Sequence, residues 1–154
     1  MHGVSKVEVI ARGVCVTGGQ VLLCHGKRSE VSYLPGGHVE FCETAREALA
    51  REMREELGRE VAVGRFLGCC EHAFVQQGEP HAEINLLFEM TVPGLVPGEE
   101  VVSAEDWIGF RWCEAGRLGE AGFEPAALRE LLPAWVAAGG GQHVVSGDAW
   151  TGQA

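Results

Sequence analysis

Positive charge is what this sequence most lacks: 12 Lys and Arg stand against 22 Asp and Glu, a formal net charge of -10. A protein that wraps nucleic acid needs basic surface to displace counterions from phosphates, so a nucleic-acid polymer is not an expected partner. Aspartate is nearly missing too, since Asp106 and Asp148 are the only two and Glu carries the acidity. Scattered glutamates ordinarily form a solvated surface that aids solubility, and they inform only where they cluster at unusual positions. No apolar run of about 18 residues is present to span a bilayer, so no membrane partner is expected. Met1 to Lys6 lacks the apolar core of a signal peptide. Cys15, Cys24, Cys42, Cys69, Cys70 and Cys113 form no C-x-x-C pair, and the adjacent Cys69 and Cys70 are poorly placed to bridge each other. Most of these cysteines sit in apolar, strand-like runs as small thiols, which points to a reducing, cytoplasmic compartment.

What is present suits one globular domain: 154 residues, 46% of them hydrophobic. Val7 to Val16 is rich in β-branched residues and reads as a strand. Thr17-Gly18-Gly19 is a turn, and Gln20 to His25 reads as the returning strand of a hairpin. A polar connection over Lys27 to Tyr33 leads to Leu34-Pro35-Gly36-Gly37, where proline and two glycines are expected to halt regular structure. Further strands are expected over Val61 to Cys70, with a bend at Gly64, over Ile84 to Val92 and over Phe110 to Cys113. Loops are expected at Gln76 to Pro80 and Pro93 to Glu105. A second helix is expected over Pro125 to Ala138, with proline at its first position. The domain is thus assigned to 1–138, and the Gly-rich stretch 139–154 reads as a flexible tail in which Trp150 has no evident role. Strands interleaved with two helices indicate a mixed α/β domain.

The best-marked helix follows the glycines. Thr44-Ala45-Arg46-Glu47 fits a capping box, good helix formers continue to Leu57, and Gly58 stands where a terminating glycine belongs. On a wheel of 100° per residue, Ala45, Ala48, Leu49, Met53 and Leu57 form the apolar stripe. Glu52 and Glu56 fall inside that stripe and Glu55 at its edge. A salt-bridged surface helix accounts for pairs such as Arg51 with Glu55, but not for two carboxylates facing inward, where desolvation is costly. Hard divalent cations resolve the conflict: they take oxygen ligands, and glutamates at i, i+3 and i+4 converge enough to share them. A side-chain-free turn lets backbone approach the same place, so a Gly36 carbonyl could join the ligand set.

From Gly37 the pattern runs five residues to Glu43, seven more, then Arg51-Glu52-Met53-Arg54-Glu55-Glu56-Leu57-Gly58. This closely resembles the Nudix box of the Nudix hydrolases (the MutT-like family). Arg59 departs from it, since the position is usually aliphatic. The resemblance implies an α/β/α sandwich around a mixed β-sheet. It also implies Mg²⁺- or Mn²⁺-dependent hydrolysis of a nucleoside diphosphate linked to another moiety, a small-molecule nucleotide substrate being the partner. Carried over by position, Glu52, Glu55 and Glu56 would be metal ligands with the Gly36 carbonyl assisting. Arg51 would orient a glutamate, Glu43 would be its largely structural partner, and Gly37 and Gly58 would shape the loops. Glu55 and Glu56 are candidate general bases, and so is a loop glutamate ahead of a Trp-bearing strand. Glu105 before Trp112 fits best, with Glu99 and Glu100 as rivals. His72 and His81 flank a loop that could face substrate, Phe74 or Trp107 could stack on a base, and Arg28 could meet a phosphate. A homodimer is compatible with the family.

Two other readings compete: a non-catalytic Nudix domain that binds a nucleotide, which typically has an eroded box, and an isoprenoid-diphosphate isomerase, whose extra Cys and Glu motifs are not recognised here. Val75 and Gln77 occupy the places where ADP-ribose- and diadenosine-polyphosphate-type members carry Pro and Tyr, and Pro80 is off register. A nucleoside triphosphate, canonical or oxidised, is the default by elimination.

Overall fold

The computed structural model describes residues 5–141 and 143–146. In chain order its strands are β1 (Val7–Val14), β2 (Val16–Thr17), β3 (Gln20–Gly26), β4 (Ser32–Tyr33) and β5 (Gly36–His38), then β6 (Ala62–Gln76), β7 (Glu79–Thr91), β8 (Ile108–Glu114) and β9 (His143–Ser146). Helix α1 (Ala45–Leu57) lies between β5 and β6, and a 3-10 segment (Ala115–Ala121) and helix α2 (Leu128–Ala138) follow β8. No helix among the described residues is long and apolar enough to cross a membrane.

Two sheets form. One has the order β5-β1-β7-β6-β9, with β1 parallel to β7 and antiparallel to β5. The other centres on β3, which pairs with β8 along its full length and with β2 and β4 near its two ends. Alternate residues of β3 feed opposite cores, as period-two side chains must. Leu22 and Cys24 pack with Ala48, Leu49 and Met53 of α1, whereas Val21 and Leu23 pack with Leu128, Leu132 and Trp135 around α2. This is the α/β/α sandwich around mixed sheet that the box implies.

Several boundaries differ from the expectations. The first strand breaks at Cys15, so β1 joins one sheet while only β2 makes the hairpin with β3; the long-range parallel pairing with β7 captures the rest. The segment Gly36–His38, expected to be irregular, is a short strand on β1. Strands β6 and β7 extend through the expected Gln76–Pro80 loop and leave only a two-residue turn at Gln77 and Gly78, both with positive φ. The bend near Gly64 appears as register shifts between Val63 and Gly68. Helix α2 starts at Leu128 rather than Pro125. The expected tail places His143–Ser146 as a parallel strand on β6, tied down by a His143–Glu71 contact. Trp150 lies outside the described residues.

Helix α1 follows its local signals. Thr44 caps it by accepting from the Glu47 N–H, the Glu47 carboxylate accepts from the Thr44 N–H at 2.7 Å, and Gly58 closes it in left-handed conformation. Gly36 has a φ of 144°, and a Cβ there would overlap the carbonyl of Ala11 on β1. Gly36→Ala is therefore expected to cost ~2–3 kcal/mol, seen as a lower denaturant midpoint at unchanged slope. An unchanged midpoint would show that β5 yields freely.

Candidate active site

Where the two sheets, α1 and the start of α2 meet, a cleft of about 990 Å³ opens. It is lined by Gly36 and Gly37 of β5, by Glu52, Glu55 and Glu56 of α1, by His72 and Phe74 of β6, and by Glu105 and Trp107 of the loop before β8. The glutamates arrive graded in depth: the side chain of Glu55 is 52% exposed and that of Glu52 15%, while Glu56 as a whole residue is only 8% exposed. Helix phase alone produces this, because Glu56 sits beside Met53 and Leu57 on the packed face.

Arg51 organises the upper part. Its guanidinium donates to both carboxylate oxygens of Glu43, at 2.7 and 3.1 Å, and to the His38 carbonyl at 3.0 Å. Its remaining nitrogen donates to Glu52 at 3.1 Å and Glu55 at 3.3 Å. The bidentate bonds from Arg51, helped by the Glu40 backbone, hold the Glu43 carboxyl down at about 2. Gly37 belongs there for a steric reason, since a Cβ at that position would overlap the Glu52 carboxylate.

Glu56 is in the opposite condition. One of its oxygens, Oε2, is buried without a hydrogen-bond partner. Desolvation first, then the negative charge of Glu52, pushes its carboxyl up to about 8, with Arg12 opposing and Glu55 and Glu105 adding. Desolvation also raises Glu52, against the pull of Arg51. Among the described residues no three His, Cys, Asp or Glu side chains converge into a ready-made cage. Even so, a buried carboxyl oxygen without a partner, beside a second desolvated carboxyl, fits a hard divalent cation, which would supply the missing partner and favour the deprotonated form.

Glu105 is brought in by the end of the helix. The Glu56 carbonyl, left over at the C-terminus of α1, accepts from the Ala104 N–H at 2.7 Å, with the Ser103 hydroxyl oxygen 3.3 Å away. The same hydroxyl donates to the Glu105 carbonyl and accepts from the Glu105 N–H. The loop is thereby fastened so that Glu105 enters the cleft, whereas Glu99 and Glu100 do not line it. Arg59, irregular in sequence, donates to the Pro93 carbonyl at 3.0 Å and anchors the start of this loop.

Other expectations divide. His72 lines the cleft and stacks on Phe74, with ring centroids 5.0 Å apart, and Trp107 lines it too. His81, paired with Phe74 across β6 and β7, stacks on it with ring centroids 5.0 Å apart but does not line the cleft. Arg28, on the exposed connection after β3, does not line it either. Sequence reasoning overlooked Arg12, Glu83 and Asn85, which form a polar floor: Arg12 Nε donates to Asn85 Oδ1 at 3.0 Å. No local signal marks them, because β1 and β7 carry other polar residues as well and only the pairing of the two strands brings these three together.

The NUDIX domain family model matches residues 7–134. A Bacillus subtilis (strain 168) protein named as a proposed 8-oxo-dGTP diphosphatase is 32% identical over 99 residues, which is 64% of this chain and 60% of that protein. The match thus spans about three-fifths of that relative. The solution structure of the Escherichia coli ORF135 protein is similar with a TM-score of 0.58 and 26% identity, covering 87% of this chain and 94% of that one. A MutT protein from Methanosarcina mazei Go1 shares the fold with a TM-score of 0.63 at 23% identity, covering 88% and 96%.

Proposed function

Since the chain belongs to the NUDIX family, we propose that it is a divalent-cation-dependent pyrophosphohydrolase acting on a nucleoside diphosphate linked to another moiety. A nucleoside triphosphate is the first class to test, because an oxidised one is in the name of the Bacillus subtilis relative. The observation that carries this reading is the buried, unpartnered carboxylate oxygen of Glu56 in a cleft it shares with Glu52 and Glu105.

Glu52 and Glu56 would hold Mg²⁺ or Mn²⁺, with Glu55 at the exposed side and the Gly36 carbonyl assisting. The bound ion supplies positive charge to the pyrophosphate oxygens and acidifies an attacking water. Arg51 keeps Glu52 and Glu55 aimed into the cleft while Glu43 neutralises and fixes Arg51. Glu55 is tied to Arg51 and Glu56 is buried, so Glu105 is the carboxylate best placed to take the proton from water. General-base removal typically costs about 10²- to 10⁴-fold. Glu105→Gln is accordingly expected to lower kcat by that order with KM little changed.

The deciding experiment is incubation with Mg²⁺ and a panel of canonical and oxidised nucleoside triphosphates and nucleotide derivatives, resolved by chromatography. A nucleoside monophosphate with pyrophosphate, or with the second moiety's phosphate, is the expected product pair. Retained nucleotide binding with no turnover of any substrate would point instead to a non-catalytic domain.

A further inference from the structure

We infer that Arg12 grips a phosphate of the substrate, and that Asn85 and the Leu34 carbonyl hold its guanidinium ready to do so. The inference rests on the nucleotide reading above and adds to it the cation that the cleft otherwise lacks. Among the described lining residues Arg12 is the only Lys or Arg, set against Glu52, Glu55, Glu56, Glu83, Glu105 and Glu124. A polyphosphate entering so acidic a cleft meets repulsion everywhere except at the bound ion and at Arg12.

The side chain is built in rather than loosely present. Arg12 is 15% exposed, donates from Nε to Asn85 at 3.0 Å and from Nη1 to the Leu34 carbonyl at 3.0 Å, and lies over the Tyr33 ring. Asn85, 2% exposed, is oriented in turn by donating to the Cys70 carbonyl at 3.3 Å, which leaves its oxygen for Arg12. A guanidinium carries five N–H donors in a planar fork, so three remain after these two bonds. The nearest anion, Glu83, stands 3.9 Å from Nη2, too far for a hydrogen bond. A fixed fork with spare donors matches phosphate bidentately. Its location agrees: Arg12 pairs with Gly36 across β1 and β5, beside the proposed ligand carbonyl, so a phosphate held by an ion there would come within its reach.

Calorimetric titration in Mg²⁺ tests this with two probes, α,β-methylene-dGTP and the base-free imidodiphosphate. Arg12→Gln is expected to weaken both by about 10- to 100-fold, the scale of hydrogen bonds to a charged group. Arg12→Lys should recover only part, because it restores charge without the fork. Glu83→Gln should tighten both several-fold by removing the negative charge that stands 3.9 Å from the guanidinium and repels an incoming phosphate. Unchanged affinities in Arg12→Gln, or a loss confined to the dGTP analogue, would overturn the proposal, the latter by assigning Arg12 to the base. So would the same loss appearing in Arg28→Gln instead. If Arg12→Gln melts early, Arg12→Lys and Glu83→Gln decide, and no change in either counts against it. Wild-type protein that binds neither probe defeats the nucleotide reading itself, a separate outcome.

Discussion

Replacing Glu56 by Gln is expected to reduce kcat/KM by at least about 10³-fold, or ~4 kcal/mol of transition-state stabilisation, while leaving the metal-free protein folded. The substitution changes almost no volume and removes one negative charge from the most deeply buried carboxylate of the cleft. In the metal-free state that charge is a burden, since Oε2 has no donor and Glu52 repels it. The variant's thermal midpoint without metal should therefore equal or exceed that of wild type near pH 8. Activity would fall because the proposed ion would lose one of its carboxylate ligands. Steady-state kinetics and melting curves measured together separate the two effects. Activity near that of wild type would dismiss Glu56 from the site, and a collapsed fold would show that the carboxylate is structural.

A second large effect is expected from pH. Glu56 titrates at about 8 in the folded chain, against an ordinary value of 4.5. The folded state keeps a proton that the unfolded state has already released, so the stability this group contributes is full below pH 4.5 and is lost as pH rises toward 8. At 1.36 kcal/mol per pKa unit, the loss has a ceiling of roughly 5 kcal/mol. Glu43, held down at about 2 by Arg51, works in the opposite sense, but its window lies below pH 4.5. Metal-free protein in a chelator should thus lose unfolding free energy between pH 5 and 8. Saturating Mg²⁺ should flatten or reverse the trend, because the ion favours the deprotonated carboxylate and binds more tightly as pH rises. Chemical denaturation at several pH values checks both arms. A metal-free stability that is level or rising across this range would contradict the desolvated state of Glu56, and a slope that persists in Glu56→Gln would assign it elsewhere.

These two expectations draw on different depths of information. The capped helix from Thr44 to Gly58 and the inward phase of Glu52 and Glu56 could be read from the chain, because over spacings of a few residues helix geometry dictates which side chains share a face. The bond from Arg51 to Glu43, which precedes the helix, was implied only by the resemblance to the Nudix box. In the sequence Glu105 was preferred to its rivals Glu99 and Glu100 only for its place ahead of Trp112. What separates it from Glu99 and Glu100 is the Glu56 carbonyl, which seats Ser103 and Ala104.

Sheet membership was far less legible. Nothing local announces that the chain breaks at Cys15, or that β1 runs parallel to a strand some seventy residues further on, as the pairing of Val7 with Ala82 shows. Parallel pairing and the capture of His143–Ser146 on β6 are decided by burial across distant segments, which leaves no short-range pattern. Arg12 and Asn85 were overlooked for the same reason. Neither stands out among the polar residues of its own strand, and only the parallel register of β1 on β7 joins them into a single polar floor. The carboxylate-bearing helix and the family's reaction class are written in a contiguous motif and need no distant contact to be read. Tertiary structure alone decided which cation faces those carboxylates, because strands far apart in the chain had first to be laid side by side.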